Sequence, residues 1–432
     1  MKTKLVIFGI TGDLSRRKLI PALQRILLTD SGSGLSLYGV SRREVDTQEL
    51  LGSLAGSTQM ITMNVAEPED YKKLFKSLDV QDDEQILVYL SVPPSASDQI
   101  VMLLGQNGFS DRRVKLLLEK PFGVDFESAE EMNDHLLDHF EESQLYRIDH
   151  YMAKEMAQNI IAFRADNAIF AHVWNKNAIE RVTVGAYESI GIEGRSVFYE
   201  QTGAMRDVLH VHLLQLLSLI LMDIPEDVTY AKIPTYRLKA LAQIPPVKEG
   251  DVMRGQYVGY REEVGNDQTT TETYVTTTLY SEDDNWKDVP LILRTGKSLH
   301  TKSTEITVEF KRTRANQANK LVFRIQPFEG VEIELHTKRP GYDRIMETRS
   351  LSFKYPEDLD LPDAYEQVIV DAIYSRKSLF TSSDEVLASW RILEPALKDW
   401  SMEKVGDIAL YDPMSTPEEA ELVIGEHEAS RQ

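Results

Sequence analysis

The stretch Val6-Ile7-Phe8-Gly9-Ile10-Thr11-Gly12-Asp13-Leu14 decides the fold. A short apolar run, a turn with two glycines and then a helical pattern form a strand–turn–helix unit. Such a turn lets backbone N–H groups approach a pyrophosphate at the positive end of the helix. Gly9, Thr11, Gly12, Asp13 and Leu14 are therefore candidate dinucleotide contacts, although glycines also serve ordinary turns and the third glycine of the full fingerprint is missing. The next strand, Leu35–Val40, ends in Ser41-Arg42-Arg43. Folds that select NAD usually place an acid there for the ribose 2′-hydroxyl, whereas arginine suits a 2′-phosphate. Arg42 and Arg43 thus point to NADP, with NAD as an alternative and two solvated arginines as the plain one.

Outward from this stretch, apolar β-rich runs alternate with helical ones up to about residue 148. Leu5–Gly9, Leu35–Val40, Gln85–Leu90 and Val114–Leu118 read as strands; Lys18–Leu28, Glu67–Ser77, Ser95–Leu104 and Ser128–Phe140 read as helices. The alternation predicts an α/β Rossmann-like domain over residues 1–148. Beyond it, Glu180–Ala186, Thr271–Leu279, Thr304–Phe310, Lys320–Gln326 and Val331–His336 follow one another with few helices between. Residues 149–432 therefore read as an α+β domain with a large, mainly antiparallel sheet, with Asp207–Leu221 and Ala364–Ile373 as helices packed beside it.

Composition narrows the function. The 432 residues hold 48 Lys+Arg against 69 Asp+Glu, a net charge of −21, and no cysteine. Zero cysteine excludes disulfide scaffolds, cysteine-ligated metals and thiol nucleophiles. The acidic balance argues against nucleic acid as a partner, but a small phosphorylated ligand needs only a local basic pocket. The amino-terminal apolar run stops at Thr11-Gly12-Asp13, short of a signal peptide, and Val211–Met222 is too short to span a bilayer. A cytoplasmic protein without membrane attachment is expected.

Four stretches carry a resemblance. They are Gly9–Leu14 with Arg17-Lys18-Leu19 and Pro21-Ala22-Leu23; Glu119-Lys120-Pro121-Phe122-Gly123; Arg147-Ile148-Asp149-His150-Tyr151-Met152-Ala153-Lys154-Glu155; and Gly203-Ala204-Met205-Arg206-Asp207 running to His212-Leu213-Leu214-Gln215. Independently of any family, His150 and Lys154 are four apart and would share a helix face, with the Tyr151 hydroxyl beside them. That combination suits a phosphate. His212, in an apolar helical run, reads as either a core histidine or a base.

Together the stretches resemble the glucose-6-phosphate dehydrogenase family. The resemblance implies oxidation of the sugar C1 hydroxyl, with His212 as general base and Asp149 as its carboxylate partner. It assigns the 6-phosphate to His150, Tyr151 and Lys154, with Lys302 as a further contact. Lys120, Lys18, Glu188, Asp207 and Lys297 resemble the groups that bind sugar hydroxyls, while Pro93, Lys120 and Pro121 resemble cofactor-side positions. A homodimer through the large sheet is implied, with a tetramer as the alternative. No metal site is read. The family usually has Gln-Asn before the base histidine; here His210 and Val211 stand there. Two other readings compete: a broader sugar oxidoreductase, for which a phosphate socket has no purpose, and a silent paralogue, which would have lost the base or its acid.

Overall fold

The computed structural model describes residues 2–224, 230–248, 250–313, 317–356, 359–400 and 408–431. It divides into two compact units. The first comprises Met1–Ala153, Thr229–Pro234 and Leu361–Leu387; the second comprises Lys154–Val228, Thr235–Asp360 and Ala388–Gln432. Residues 361–387, read from the sequence into a continuous second domain, thus fall in the first unit.

The first unit is built on β1 (Lys2–Phe8), β2 (Leu35–Ser41), β3 (Thr58–Thr62), β4 (Glu84–Leu90), β5 (Val114–Leu118) and β6 (Leu145–Ile148). All neighbours are parallel, in the order β6-β5-β4-β1-β2-β3, and the short strand Phe380–Thr381 adds antiparallel beside β6. The central strands read as continuous apolar runs because helices cover both faces. The helix Ala364–Ile373 has the bounds expected from its pattern, but not the expected partner. Its Val368, Ile369 and Ala372 pack in one core with Leu5, Ile7, Leu87 and Leu117 of β1, β4 and β5. Sequence periodicity identifies an apolar face without identifying the sheet that receives it. Polar groups complete the seam: Gln85 Nε2 donates to Ile373 O at 2.7 Å, and Lys115 Nζ to Ala372 O at 2.6 Å.

The second unit holds β7 (Ile179–Tyr187), β8 (Val252–Tyr257), β9 (Tyr274–Leu279), β10 (Leu291–Gly296), β11 (Ser303–Phe310), β12 (Lys320–Gln326), β13 (Gly330–Lys338) and β14 (Met346–Lys354). Their order is β14-β13-β12-β11-β7-β10-β9-β8, closed by the short strand Ala409–Tyr411. Pairing is antiparallel except between β7 and β10 and between β8 and Ala409–Tyr411. The parallel pair matters for the site, because both strands deliver their carboxyl ends to the same edge.

One helical run, Ser196–Leu221, is long and apolar enough to cross a membrane by length and composition among the described residues. Its most apolar window is 83 % buried inside the fold, as expected of a core element.

Candidate functional site

In the first unit the strand order reverses between β1 and β4, and ligands of open parallel sheets bind beyond the carboxyl ends at such a reversal. Gly9 leaves β1 there with φ +79°, and a Cβ on it would lie 2.0 Å from Ser91 O, just after β4. Only glycine combines that conformation with that approach. Gly12 N–H donates to Gly9 O at 2.9 Å, and the buried Ser15 hydroxyl donates to Gly9 O at 3.0 Å, so the turn is braced from within. Thr11, Gly12 and Leu14 are half-buried in it, and the exposed Asp13 pairs with Arg17 at 2.7 Å. Arg42 and Arg43 lie exposed after β2; Ser41 Oγ donates to Arg43 O at 2.7 Å and shapes that loop. Pro93 caps the helix Pro94–Leu104 after β4. A tight glycine turn with the next strand end bearing two cations fits a dinucleotide phosphate backbone.

Glu119 and Lys120 follow β5 in the same unit. The Glu119 carboxylate accepts from the Tyr89 hydroxyl and lies 3.2 Å from Nε2 of His150. Burial alone would raise the Glu119 carboxyl; the His150 and Tyr89 hydrogen bonds and the Lys120 charge outweigh it and hold it below the usual carboxylate range. Burial, with the Glu119 charge adding, pushes the Tyr89 phenol well up, so it stays a donor. His150 also stacks on the Tyr365 ring, with centroids 4.0 Å apart. Lys18 Nζ sits 5.8 Å from the same ring and 3.9 Å from the Asp363 carboxylate. His150 Nδ1 is buried and meets no partner among the described residues.

The expectation that His150 and Lys154 share a helix face is corrected. Asp149, fully buried, accepts the Tyr151 N–H at 2.9 Å on its Oδ1, and this local bond turns the chain through His150 and half-buried Tyr151. The helix begins only at Glu155, with Lys154 as its N-cap residue. The spacing argument for a phosphate socket therefore fails, although the residue types stand.

In the second unit, β7 and β10 run parallel with Tyr187 opposite Gly296, so the next residues, Glu188 and Lys297, emerge side by side. Their side chains form an ion pair. Lys297 is buried, and its Nζ lies 5.2 Å from the Tyr199 ring centroid. Burial raises the Tyr199 phenol far above its ordinary value, and the Asp207 and Glu272 carboxylates add to this. Asp207 and His212 ride on Met205–Leu213, which packs against β7 and β10. That run is a π-helix rather than the expected α-helix, and such segments recur at functional sites. His212 is 4 % exposed. His210, one of the two departures from the family's Gln-Asn pair, stacks on Trp390 at 3.6 Å between centroids. Lys302 lies exposed just before β11.

The first unit thus gathers Lys18, the glycine turn, Lys120 and His150 with its surroundings, and the second gathers Glu188, Lys297, Asp207 and His212. Sequence reasoning missed Glu119, Tyr89, Tyr365, Tyr199 and Glu272. Glu119 stood in a motif already singled out, but an acid beside an anticipated phosphate site gave no reason to select it.

Comparison with known proteins supplies the lineage. The family description "Glucose-6-phosphate dehydrogenase, NAD binding domain" matches residues 6–59 and 42–159, and "Glucose-6-phosphate dehydrogenase, C-terminal domain" matches residues 161–431. The glucose-6-phosphate 1-dehydrogenase of Chlamydia muridarum is 34 % identical over 92 % of this chain and 90 % of its own length. That of Aggregatibacter actinomycetemcomitans is 36 % identical over 91 % and 90 %. Among solved structures, a glucose-6-phosphate dehydrogenase in complex with its substrate glucose 6-phosphate superposes with a TM-score of 0.88, at 27 % identity over 99 % of this chain and 97 % of its own. A levoglucosan dehydrogenase at 12 % identity and TM-score 0.56 shares the fold alone. With both halves matched in order and the relatives covered almost end to end, the chain belongs to the glucose-6-phosphate dehydrogenase family.

Proposed function

We propose that this chain oxidises D-glucose 6-phosphate at C1 to 6-phospho-D-glucono-1,5-lactone, the entry step of the oxidative pentose phosphate route, with NADP+ as acceptor in the cytosol. The observation that carries the reading is His150: Nε2 is anchored on Glu119, the ring is clamped on Tyr365, and the buried Nδ1 is left over. A preoriented imidazole on Glu119 is suited to an oxyanion in its imidazolium form, in which Nδ1–H is a charged donor. By family resemblance Tyr151, Lys154 and Lys302 join it on the 6-phosphate, and Lys18, Lys120, Glu188, Asp207 and Lys297 hold the sugar. Gly9, Thr11, Gly12, Asp13, Leu14, Pro93 and Pro121 would line the dinucleotide, with Arg42 and Arg43 on its 2′-phosphate. When bound, the oxidised nicotinamide accepts the hydride from C1. His212 takes the proton of the C1 hydroxyl, and Asp149 orients the ring and stabilises the imidazolium.

The test is steady-state reduction of NADP and NAD with glucose 6-phosphate beside unphosphorylated glucose. Turnover of the phosphorylated sugar alone is expected; comparable efficiency on free glucose would overturn the reading in favour of a broader sugar oxidoreductase. In the same assay, replacing both Arg42 and Arg43 by Ala should raise the KM for NADP roughly 10- to 100-fold and leave NAD little affected. An equal loss for both dinucleotides would refute the 2′-phosphate assignment.

A homodimer through the large sheet also forms part of this reading. On one face of the β13–β14 pair, Leu335, Leu351 and Phe353 are exposed apolar side chains. Apolar strand faces of this kind call for cover. Leu351→Asp combined with Phe353→Asp should convert a dimer to a monomer in light scattering, and an unchanged mass would exclude this face as the interface.

A further inference from the structure

The helical run that carries Asp207 and His212 is held at both ends by charged side chains from elsewhere in the second unit, one buried and one half-buried. At the amino end Glu272, 3 % exposed, accepts the Met205 N–H at 2.9 Å, and its main-chain oxygen accepts the Ala204 N–H at 3.0 Å. Gly203 precedes this point with φ +63°, and a Cβ there would lie 2.3 Å from Glu272 Oε1. The carboxylate is therefore pressed against the backbone it caps. At the carboxyl end Arg164 donates to Leu219 O at 2.6 Å and to Met222 O at 2.8 Å. The indoles of Trp174 and Trp286 donate to Ile220 O at 2.8 Å and Leu221 O at 3.0 Å.

These charges have the signs that a helix macrodipole favours, an anion at the first N–H groups and a cation at the last carbonyls. Glu272 is buried and Arg164 half-buried, and contacts withdrawn from water are the stronger ones. The need for them follows from the winding. Met205–Leu213 is a π-helix and Leu214–Leu221 an α-helix, so the run contains a change of pitch. One residue gained or lost in that change rotates every later side chain by about 100°. Polar partners fixed at both ends hold the run in one phase, in addition to its packing on β7 and β10.

We propose that Glu272 and Arg164 are positioning residues that set the rotation and axial seat of this helix, and through it the aim of Asp207 and His212. The proposal rests on the reading of His212 as the base. Burial pushes the Glu272 carboxyl upward, while the Met205 N–H and the Arg254 and Arg206 charges oppose the shift. Arg164 is drawn down to about 9 by burial, with Asp223 opposing.

The test compares Glu272→Gln, Glu272→Ala and Arg164→Met in the full chain, by turnover of glucose 6-phosphate and by the imidazole NMR signals of His212 in the ligand-free protein. Gln keeps an oxygen acceptor for the Met205 N–H and should stay within about threefold of the parent kcat. Ala and Met should lose about 10- to 100-fold in kcat, the scale of a roughly 1 Å misplacement, with the KM for the dinucleotide unchanged and the His212 signals displaced. Parent-like kcat and unmoved His212 signals in Ala and Met would overturn the proposal. So would losses in kcat that only track the fraction of folded protein. If Glu272→Ala does not fold, Glu272→Asp withdraws the acceptor while keeping the charge, and the same outcomes apply. A parent protein inert toward the sugar phosphate would refute the proposed reaction instead, while the His212 signals would still report on the clamp.

Discussion

His212→Asn is expected to lower kcat by about 10²- to 10⁴-fold while the KM for glucose 6-phosphate changes by less than about threefold. General-base assistance is worth that much, and the amide of Asn keeps shape and hydrogen bonding but has no proton-accepting nitrogen at neutral pH. His212 is buried on a helix packed against β7 and β10, the strands that lead to Glu188 and Lys297, and the substitution touches neither member of that ion pair. The parent kcat should fall at low pH as the imidazole protonates, and the Asn variant should lose that limb of the profile. A variant within tenfold of the parent, with the acid limb intact, would show that another group takes the proton. A silent paralogue predicts a different result, no turnover in the parent protein and tight dinucleotide binding in both.

The second large effect is expected at Gly9→Ala. Alanine at φ +79° carries about 1–3 kcal/mol of backbone strain, and a Cβ placed 2.0 Å from Ser91 O forces β1 and β4 apart at their carboxyl ends. Adding about 1–3 kcal/mol of overpacking gives a destabilisation of about 2–6 kcal/mol, read as a lower Tm. Displacement of the turn should also weaken NADPH binding at least tenfold in a fluorescence titration. Gly56→Ala is the matched control: no atom lies within 4 Å of its Cβ position, and its effect should stay within about 0.5 kcal/mol. Equal melting of the two variants would refute the close approach to Ser91.

The particular elements show how far sequence reading carries. β1, β2, β4 and β5 were legible because buried parallel strands are uninterrupted apolar runs, and the glycine turn after β1 was legible because its chemistry is local. β3 was not, since Thr58–Thr62 is a short, half-exposed edge strand whose sequence neither alternates nor forms an apolar run. β14 was hidden for the same reason, being exposed along nearly its whole length. β6 contains Arg147, which argues against a buried strand until its partners are known. Its guanidinium reaches Glu142, Asn133 and Ser383, and the last lies 236 positions away. At the site, residue types were readable and neighbours were not. The turn at Asp149–Tyr151 shows a side-chain hydrogen bond overriding a spacing rule. Tyr365 and Glu272 reach their places through tertiary structure, and no local pattern announces either.

The return of residues 361–387 to the first unit has a consequence for synthesis. A nascent polypeptide emerging from the ribosome exposes β1, β4 and β5 long before the helix Ala364–Ile373 exists to cover them. Until then Gln85 and Lys115 have no Ile373 or Ala372 carbonyls to meet. The first unit therefore reaches its full set of core and hydrogen-bond partners only after residues 361–387 have been made. A gene fragment ending at Ala153 should yield an aggregating product, whereas one that splices 361–387 onto it through a flexible linker should yield a soluble dinucleotide-binding module.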